Sequence, residues 1–194
     1  MRSGQPASAG VGGFPDDGFA WLASIEPGHF WFEERNRLIV WALQRYGGGP
    51  RSLLEVGCGT GFVPQAIRQA FPSLTLTGTD ALPGGLEIAG QRVPDATLLM
   101  EDVRDLNAQE AFDVVCAFDV LVPEDEEAMG RLYAAKPDGL VLITVPQHPA
   151  LWSRADEAGH HVRRYRRREL VDRAIRAGFE PLRVTSFVSV LLPL

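Results

Sequence analysis

The chain is predicted to fold as one doubly wound α/β domain, a parallel sheet with helices on both faces. Three observations predict it. Leu53-Leu54-Glu55-Val56 is a strand-like run that enters glycines at alternate positions, Gly57, Gly59 and Gly61, and a helical pattern (Val63, Ala66, Ile67, Ala70) follows at once. Strand-like and helical runs then alternate along the chain. Phe112 to Phe118 is apolar apart from Asp113, as a strand buried on both faces should be. With 194 residues the chain can bury a core without staples, and its net charge of −6 argues against a general nucleic-acid-binding surface.

Residues 1–18 are rich in Gly, Ser, Ala and Pro and are expected to be poorly ordered. The rest, 19–194, reads as a single domain with a helical cap over 19–47 and a core over 51–194. In the cap, Leu38, Trp41, Ala42 and Arg45 share one helical face, Trp31 and Trp41 are expected to pack on the sheet, and Gly47-Gly48-Gly49-Pro50 ends the helix. The two cysteines, Cys58 and Cys116, have no framework spacing, so neither a disulfide nor a metal is expected. No apolar run is long enough for a membrane span, and the N-terminus lacks a signal pattern, so a cytoplasmic location is the expectation.

The glycine turn brings backbone close to a nucleotide-like ligand at a helix N-terminus. A dinucleotide fingerprint would need a third glycine at position 62, where Phe62 stands; a nicotinamide-dependent oxidoreductase is therefore the weaker alternative. A second strand, Leu74 to Thr79, ends in Asp80, placed where an acidic strand tip can accept protons from ribose hydroxyls. A helix over Leu86 to Val93 is weakened by Gly84 and Gly85. Ala96 to Met100 is the third strand, followed by the acidic turn Glu101-Asp102. After the fourth strand and Asp119-Val120-Leu121, an acidic run opens a helix from about Glu124 to Ala135. Lys136-Pro137-Asp138-Gly139 is a turn before the fifth strand, Leu140 to Val145. The loop beyond it holds His148, Asp156, His160, His161, Tyr165 and an arginine run, and the next helix starts near Arg167 and ends at Gly178. Pro181 to Phe187 reads as a sixth strand.

Glu55-Val56-Gly57-Cys58-Gly59-Thr60-Gly61 resembles the (D/E)-x-G-x-G-x-G motif of the class I S-adenosylmethionine-dependent methyltransferases. His29 to Ile39 resembles the H-(F/W)-W-F-x-x-R-N-R-L-I cap of a type 11/12-like subfamily, and Asp156 to Leu170 its D-E-x-x-G-H-x-R-R-Y-x-x-x-E-L block. The resemblance implies a Rossmann-like sheet of order 3-2-1-4-5-7-6 with the last strand abbreviated or missing. It implies S-adenosylmethionine as cofactor, with S-adenosylhomocysteine as product. The implied cofactor site comprises Glu55, Gly57, Cys58, Gly59, Gly61, Asp80, Ala81, Asp102, Val103 and Phe118. Arg37, with Arg35 as substitute, would face the methionine carboxylate. Family members commonly read D-V-L-E-H after the fourth strand; this chain lacks the Glu-His pair, so a catalytically impaired cofactor-binding protein is the other alternative. His148, His161 and Tyr165 are the candidate catalytic groups. Arg163 and Arg164 are the candidates for holding a small, anionic acceptor, and Arg166 to Arg168 are read as solvated.

Overall fold

A computed structural model of the protein describes residues 18–102, 105–106, 111–120, 132, 135–158, 161 and 163–187. Two cap helices come first, α1 (Gly18–Ile25) and α2 (Phe30–Tyr46). The core follows as β1 (Ser52–Val56), α3 (Phe62–Ala70), β2 (Thr75–Asp80), α4 (Pro83–Arg92), β3 (Thr97–Met100), β4 (Phe112–Phe118) and β5 (Ala135–Thr144). A 3-10 turn (Pro149–Leu151), α5 (Arg154–Ala158) and α6 (Arg167–Arg176) complete the described elements. The strands form one sheet in the order β3-β2-β1-β4-β5, and every pairing is parallel. That is the first five places of the expected order.

Alternation along the central strands makes the fold doubly wound, because successive side chains leave opposite faces of a sheet. Leu53, Val114, Cys116 and Phe118 pack with Ile39, Leu43, Val63 and Ile67 from α2 and α3. Their neighbours Leu54, Val56, Val115 and Ala117 form the other core, with Leu106, Leu132 and, from the chain around α6, Leu170, Ala177 and Phe179.

Four expectations need correction. The inward face of α2 is Asn36, Ile39, Ala42 and Leu43, while Trp31 and Trp41 are 37% and 43% exposed. An indole has apolar area enough to lie along a surface, where Trp31 meets Phe187 and Trp41 meets Tyr46. Second, β5 starts at Ala135, five residues before the expected start. Its register with β4 shifts from Phe112 opposite Ala135 to Val114 opposite Leu140, so the Lys136 to Gly139 turn is a bulge inside the strand. Asp138 there has φ 63°, and Lys136 Nζ is 2.8 Å from Asp113 Oδ1. Third, the helix after Asp80 begins at Pro83, because proline suits a first turn that leaves its N–H unbonded anyway. Fourth, 181–187 makes no ladder and is not a strand among the described residues. The acidic-run helix apart from Leu132 and Ala135, residues 1–17 and the tail from Val188 lie outside the described residues. No helix among the described residues is long and apolar enough to cross a membrane.

Candidate functional site

The parallel register brings the carboxyl ends of β1, β2 and β3 together, Val56 opposite Thr79 and Asp80 opposite Met100. Ligands of such sheets bind at this edge. The glycine turn sits there, tied to the tip of β2 by Cys58 N donating to Thr79 O at 2.8 Å. All three glycines have positive φ, 69°, 52° and 75° at Gly57, Gly59 and Gly61. Their surroundings differ. A Cβ on Gly57 would lie 2.3 Å from Val120 Cγ2, and one on Gly61 would lie 2.8 Å from the Cα of Ala89 in α4. At Gly59 the nearest atom is Phe19 Cε1, at 3.7 Å. Gly57 and Gly61 thus serve packing, while Gly59 faces open space. Gly78 matters too: a Cβ there would be 2.9 Å from the buried Cys58 Sγ, so this β2 glycine makes room for the turn.

Asp80 clamps the turn. Its Oδ2 accepts from Gly59 N at 2.8 Å and its Oδ1 from Leu82 N at 2.9 Å. Burial raises its pKa, the N–H groups of Leu82, Gly59 and Ala81 partly offset this, and the charge of Asp102 adds to it. Asp102 follows β3, whose tip is joined to β2 by Glu101 N donating to Asp80 O. Val103 lies outside the described residues. Phe118, at the end of β4, is a core residue against α2 and α3.

Glu55 is buried, and its Oε2 has no hydrogen-bond partner. Burial pushes its carboxyl well above the ordinary range, the Arg35 guanidinium opposes this, and Asp80 reinforces it. Arg35 is 15% exposed, bonds Asp119 Oδ2 through Nη1 at 3.0 Å, and keeps a buried Nε without a partner. Arg37 does not reach the site: it is 72% exposed and pairs with Glu34 on the outer face of α2. Two residues along a helix turn a side chain about 200°, so only one of the two arginines can face inward. The inward one is Arg35.

Sequence reasoning missed a second tie. Thr60 Oγ1 donates to Glu26, Arg92 Nη1 bonds both Glu26 and Thr60, and Arg92 Nη2 reaches Ala23 O at 3.0 Å. This buried set pins α1 onto the glycine turn. Its members are 34 and 66 residues apart, with no local pattern joining them.

Beyond β5 the chain crosses back to pair Gln147 with Tyr165. His148 has φ 63°, and its buried Nε2 has no partner. Tyr165 is buried, with the guanidinium carbons of Arg163 and Arg173 5.0 and 5.9 Å from its ring centre. Arg163 and Arg164 are engaged within the chain. Arg163 pairs with Glu169, and Arg164 grips Asp156 through Nε and Nη2, each at 2.8 Å, and Gln147 O through Nη1. Arg166, Arg167 and Arg168 are exposed, as expected. His160 lies outside the described residues, and among the described residues no group of His, Cys, Asp and Glu could hold a metal ion.

Known proteins share this fold. The family described as "Methyltransferase domain" matches residues 28–184. Malonyl-[acyl-carrier protein] O-methyltransferase of Anoxybacillus flavithermus is 38% identical over 68 residues, 34% of this chain and 26% of that protein. Trans-aconitate 2-methyltransferase of Variovorax paradoxus is 31% identical over 100 residues, 50% of this chain and 39% of that one. The chain thus spans less than half the length of these curated relatives. Among solved structures, Haemonchus contortus phosphoethanolamine N-methyltransferase 2 in complex with S-adenosyl-L-methionine superimposes with a TM-score of 0.67 at 22% identity, covering 84% of this chain and 41% of that one. With the family match running over most of its length, the chain belongs to the methyltransferase domain family.

Proposed function

We propose that the chain binds S-adenosylmethionine above the β1 turn and transfers its methyl group to a small acceptor. One observation carries the reading: Glu55 Oε2 and Arg35 Nε, a buried acceptor and a buried donor without partners, belong to the edge where Gly59 leaves open space. A buried polar group left unsatisfied costs about 1–3 kcal/mol, so two at one sheet edge argue for a ligand that supplies the complements. An α-amino acid moiety does so, its carboxylate facing Arg35 and its ammonium facing Glu55. Beyond the N–H groups of Gly59, Leu82 and Ala81, the Asp80 carboxylate keeps an acceptor site for a ribose hydroxyl, and Asp102 and Ala81 are assigned to the adenine end.

When bound, the cofactor supplies a methyl group already activated on a sulfonium. The chain's task is to hold the acceptor atom about 3–3.5 Å from that carbon and in line with the breaking bond. The curated relatives' names give malonyl-[acyl-carrier protein] and trans-aconitate, both anionic. Since Arg163 and Arg164 are held by carboxylates of the chain, and Arg168 pairs with Asp172, the exposed Arg166 and Arg167 are the better candidates for meeting an anion.

Asp80→Ala tests the cofactor assignment. Isothermal titration with S-adenosylhomocysteine is expected to show binding weakened by about 1–3 kcal/mol, the scale of hydrogen bonds to a charged group. Equal affinity in a folded variant would remove Asp80 from the site.

A further inference from the structure

Asp156 is the most heavily bonded carboxylate of the described chain. It is 1% exposed, and Oδ2 accepts from Ser153 N at 2.8 Å, Ser153 Oγ at 3.1 Å and Arg164 Nη2 at 2.8 Å. Oδ1 accepts from Arg164 Nε at 2.8 Å and lies 3.2 Å from His161 Nδ1. Burial works to raise its pKa, but the bonds from Arg164, His161 and Ser153 outweigh it and hold the carboxyl at about 2. An ionised carboxylate only accepts, so it takes the Nδ1 proton of His161 as its partner and leaves Nε2 as the bare, basic nitrogen. The backbone adds a second anchor, His161 N donating to Asp156 O at 2.9 Å. His161 is 30% exposed, and Nε2 has no partner among the described residues.

The other two candidate bases lack this arrangement. Tyr165 is buried beneath two guanidiniums, and the buried Nε2 of His148 has no partner among the described residues. Position also favours His161. Its loop is stitched to the end of β5 by the Gln147–Tyr165 bridge and by Arg164 on Gln147 O. With strands about 4.8 Å apart, β5 lies two places, roughly 10 Å, from β1 and its turn.

We propose that Asp156 is a positioning residue that fixes His161 as the proton acceptor of methyl transfer, and that the methylated molecule carries a proton on its nucleophilic atom, as a hydroxyl or an ammonium does. The inference rests on the methyltransferase reading above. The acceptor atom forms its bond to the methyl carbon, and the carbon–sulfur bond breaks with its electron pair left on sulfur. The acceptor's proton passes to His161 Nε2 as that bond forms, or before it for an ammonium, whose lone pair is freed only then, and goes from there to water. An ionised carboxylate needs no such base. The charged groups in contact with the pair among the described residues are Asp156 itself and Arg164; Arg163 is turned to Glu169.

Two measurements test it on the whole chain. Nitrogen-15 spectra of the histidine rings are expected to show His161 as the Nδ1–H tautomer, a state that Asp156→Asn disturbs. Release of S-adenosylhomocysteine is then followed with phosphoethanolamine and 4-hydroxybenzoate, anions with an ammonium and a phenol, and with trans-aconitate, a carboxylate. A proton-bearing probe is expected to turn over, with kcat about 10²-fold lower in His161→Gln and KM within threefold. The rising pH limb should vanish in that variant. His161→Gln leaves the Asp156–Arg164 pair intact, so it remains decisive if Asp156→Asn folds poorly. An Nε2–H tautomer, turnover confined to trans-aconitate, unchanged kcat in His161→Gln, or no turnover of a proton-bearing probe by protein that binds S-adenosylhomocysteine overturns the proposal. Failure to bind S-adenosylhomocysteine at all counts instead against the methyltransferase reading.

Discussion

Gly59→Ala is expected to lose cofactor affinity by tenfold or more and keep its fold, whereas Gly61→Ala is expected to lose much of its stability. Both positions have positive φ, so alanine costs each about 1–2 kcal/mol in backbone conformation. They differ in what the new methyl meets. At Gly61 it lies 2.8 Å from backbone and side chain of Ala89, so α3 and α4 must move apart. Overpacking of that kind costs about 1–3 kcal/mol more, for a total of about 2–5 kcal/mol against a typical stability of about 5–15. At Gly59 the methyl enters open space 3.7 Å from Phe19, the space assigned to the ligand. Urea denaturation and titration with S-adenosylhomocysteine separate the two outcomes. If the variants lose stability equally and Gly59→Ala binds normally, the open space is not the ligand's.

Arg35→Ala and Arg37→Ala should differ just as sharply. Arg35 is inward, bonded to Asp119, with a buried unpartnered Nε. Its removal takes a charged hydrogen bond from the ligand, about 1.5–3 kcal/mol or roughly 10- to 150-fold in Kd. It also leaves Asp119 without its counter-ion at a residue of φ 59°. Among the described residues Arg37 pairs with Glu34 on an exposed face, and its loss is expected to stay within about 0.5 kcal/mol in binding and stability. Weakened binding in Arg37→Ala with none in Arg35→Ala would reverse the assignment.

The contrast between these two arginines shows how far the sequence could be read. The strand, glycine turn and α3 were legible because local chemistry decides them: an apolar run, residues that tolerate positive φ, then helical periodicity. So was Asp80, whose place follows from one βα unit. The inward face of α2 was misread because Trp41 was counted as core. Once Ile39, Ala42 and Leu43 are taken as the buried stripe, Arg35 falls four residues before Ile39 on the same face. The early start of β5 was hidden because it depends on Ala135 finding Phe112 and on Lys136 finding Asp113, contacts across 23 residues that no local pattern encodes. Arg163 and Arg164 were read as facing a substrate because charge in a loop next to the sheet edge suits an anion. The structure instead spends Arg163 and Arg164 on Glu169 and Asp156. The Glu26–Thr60–Arg92 tie was beyond reach for the same reason, since burial of a charge becomes visible only when its partner is placed.

The measurement that bears most directly on the central claim is a pair of calorimetric titrations of the purified chain, one with S-adenosylhomocysteine and one with NADH. The proposed site predicts saturable one-to-one binding of S-adenosylhomocysteine, weakened roughly 10- to 150-fold in Arg35→Ala, and no binding of NADH, because Phe62 and not glycine follows the turn. Heat from NADH alone, or from neither ligand, would contradict it.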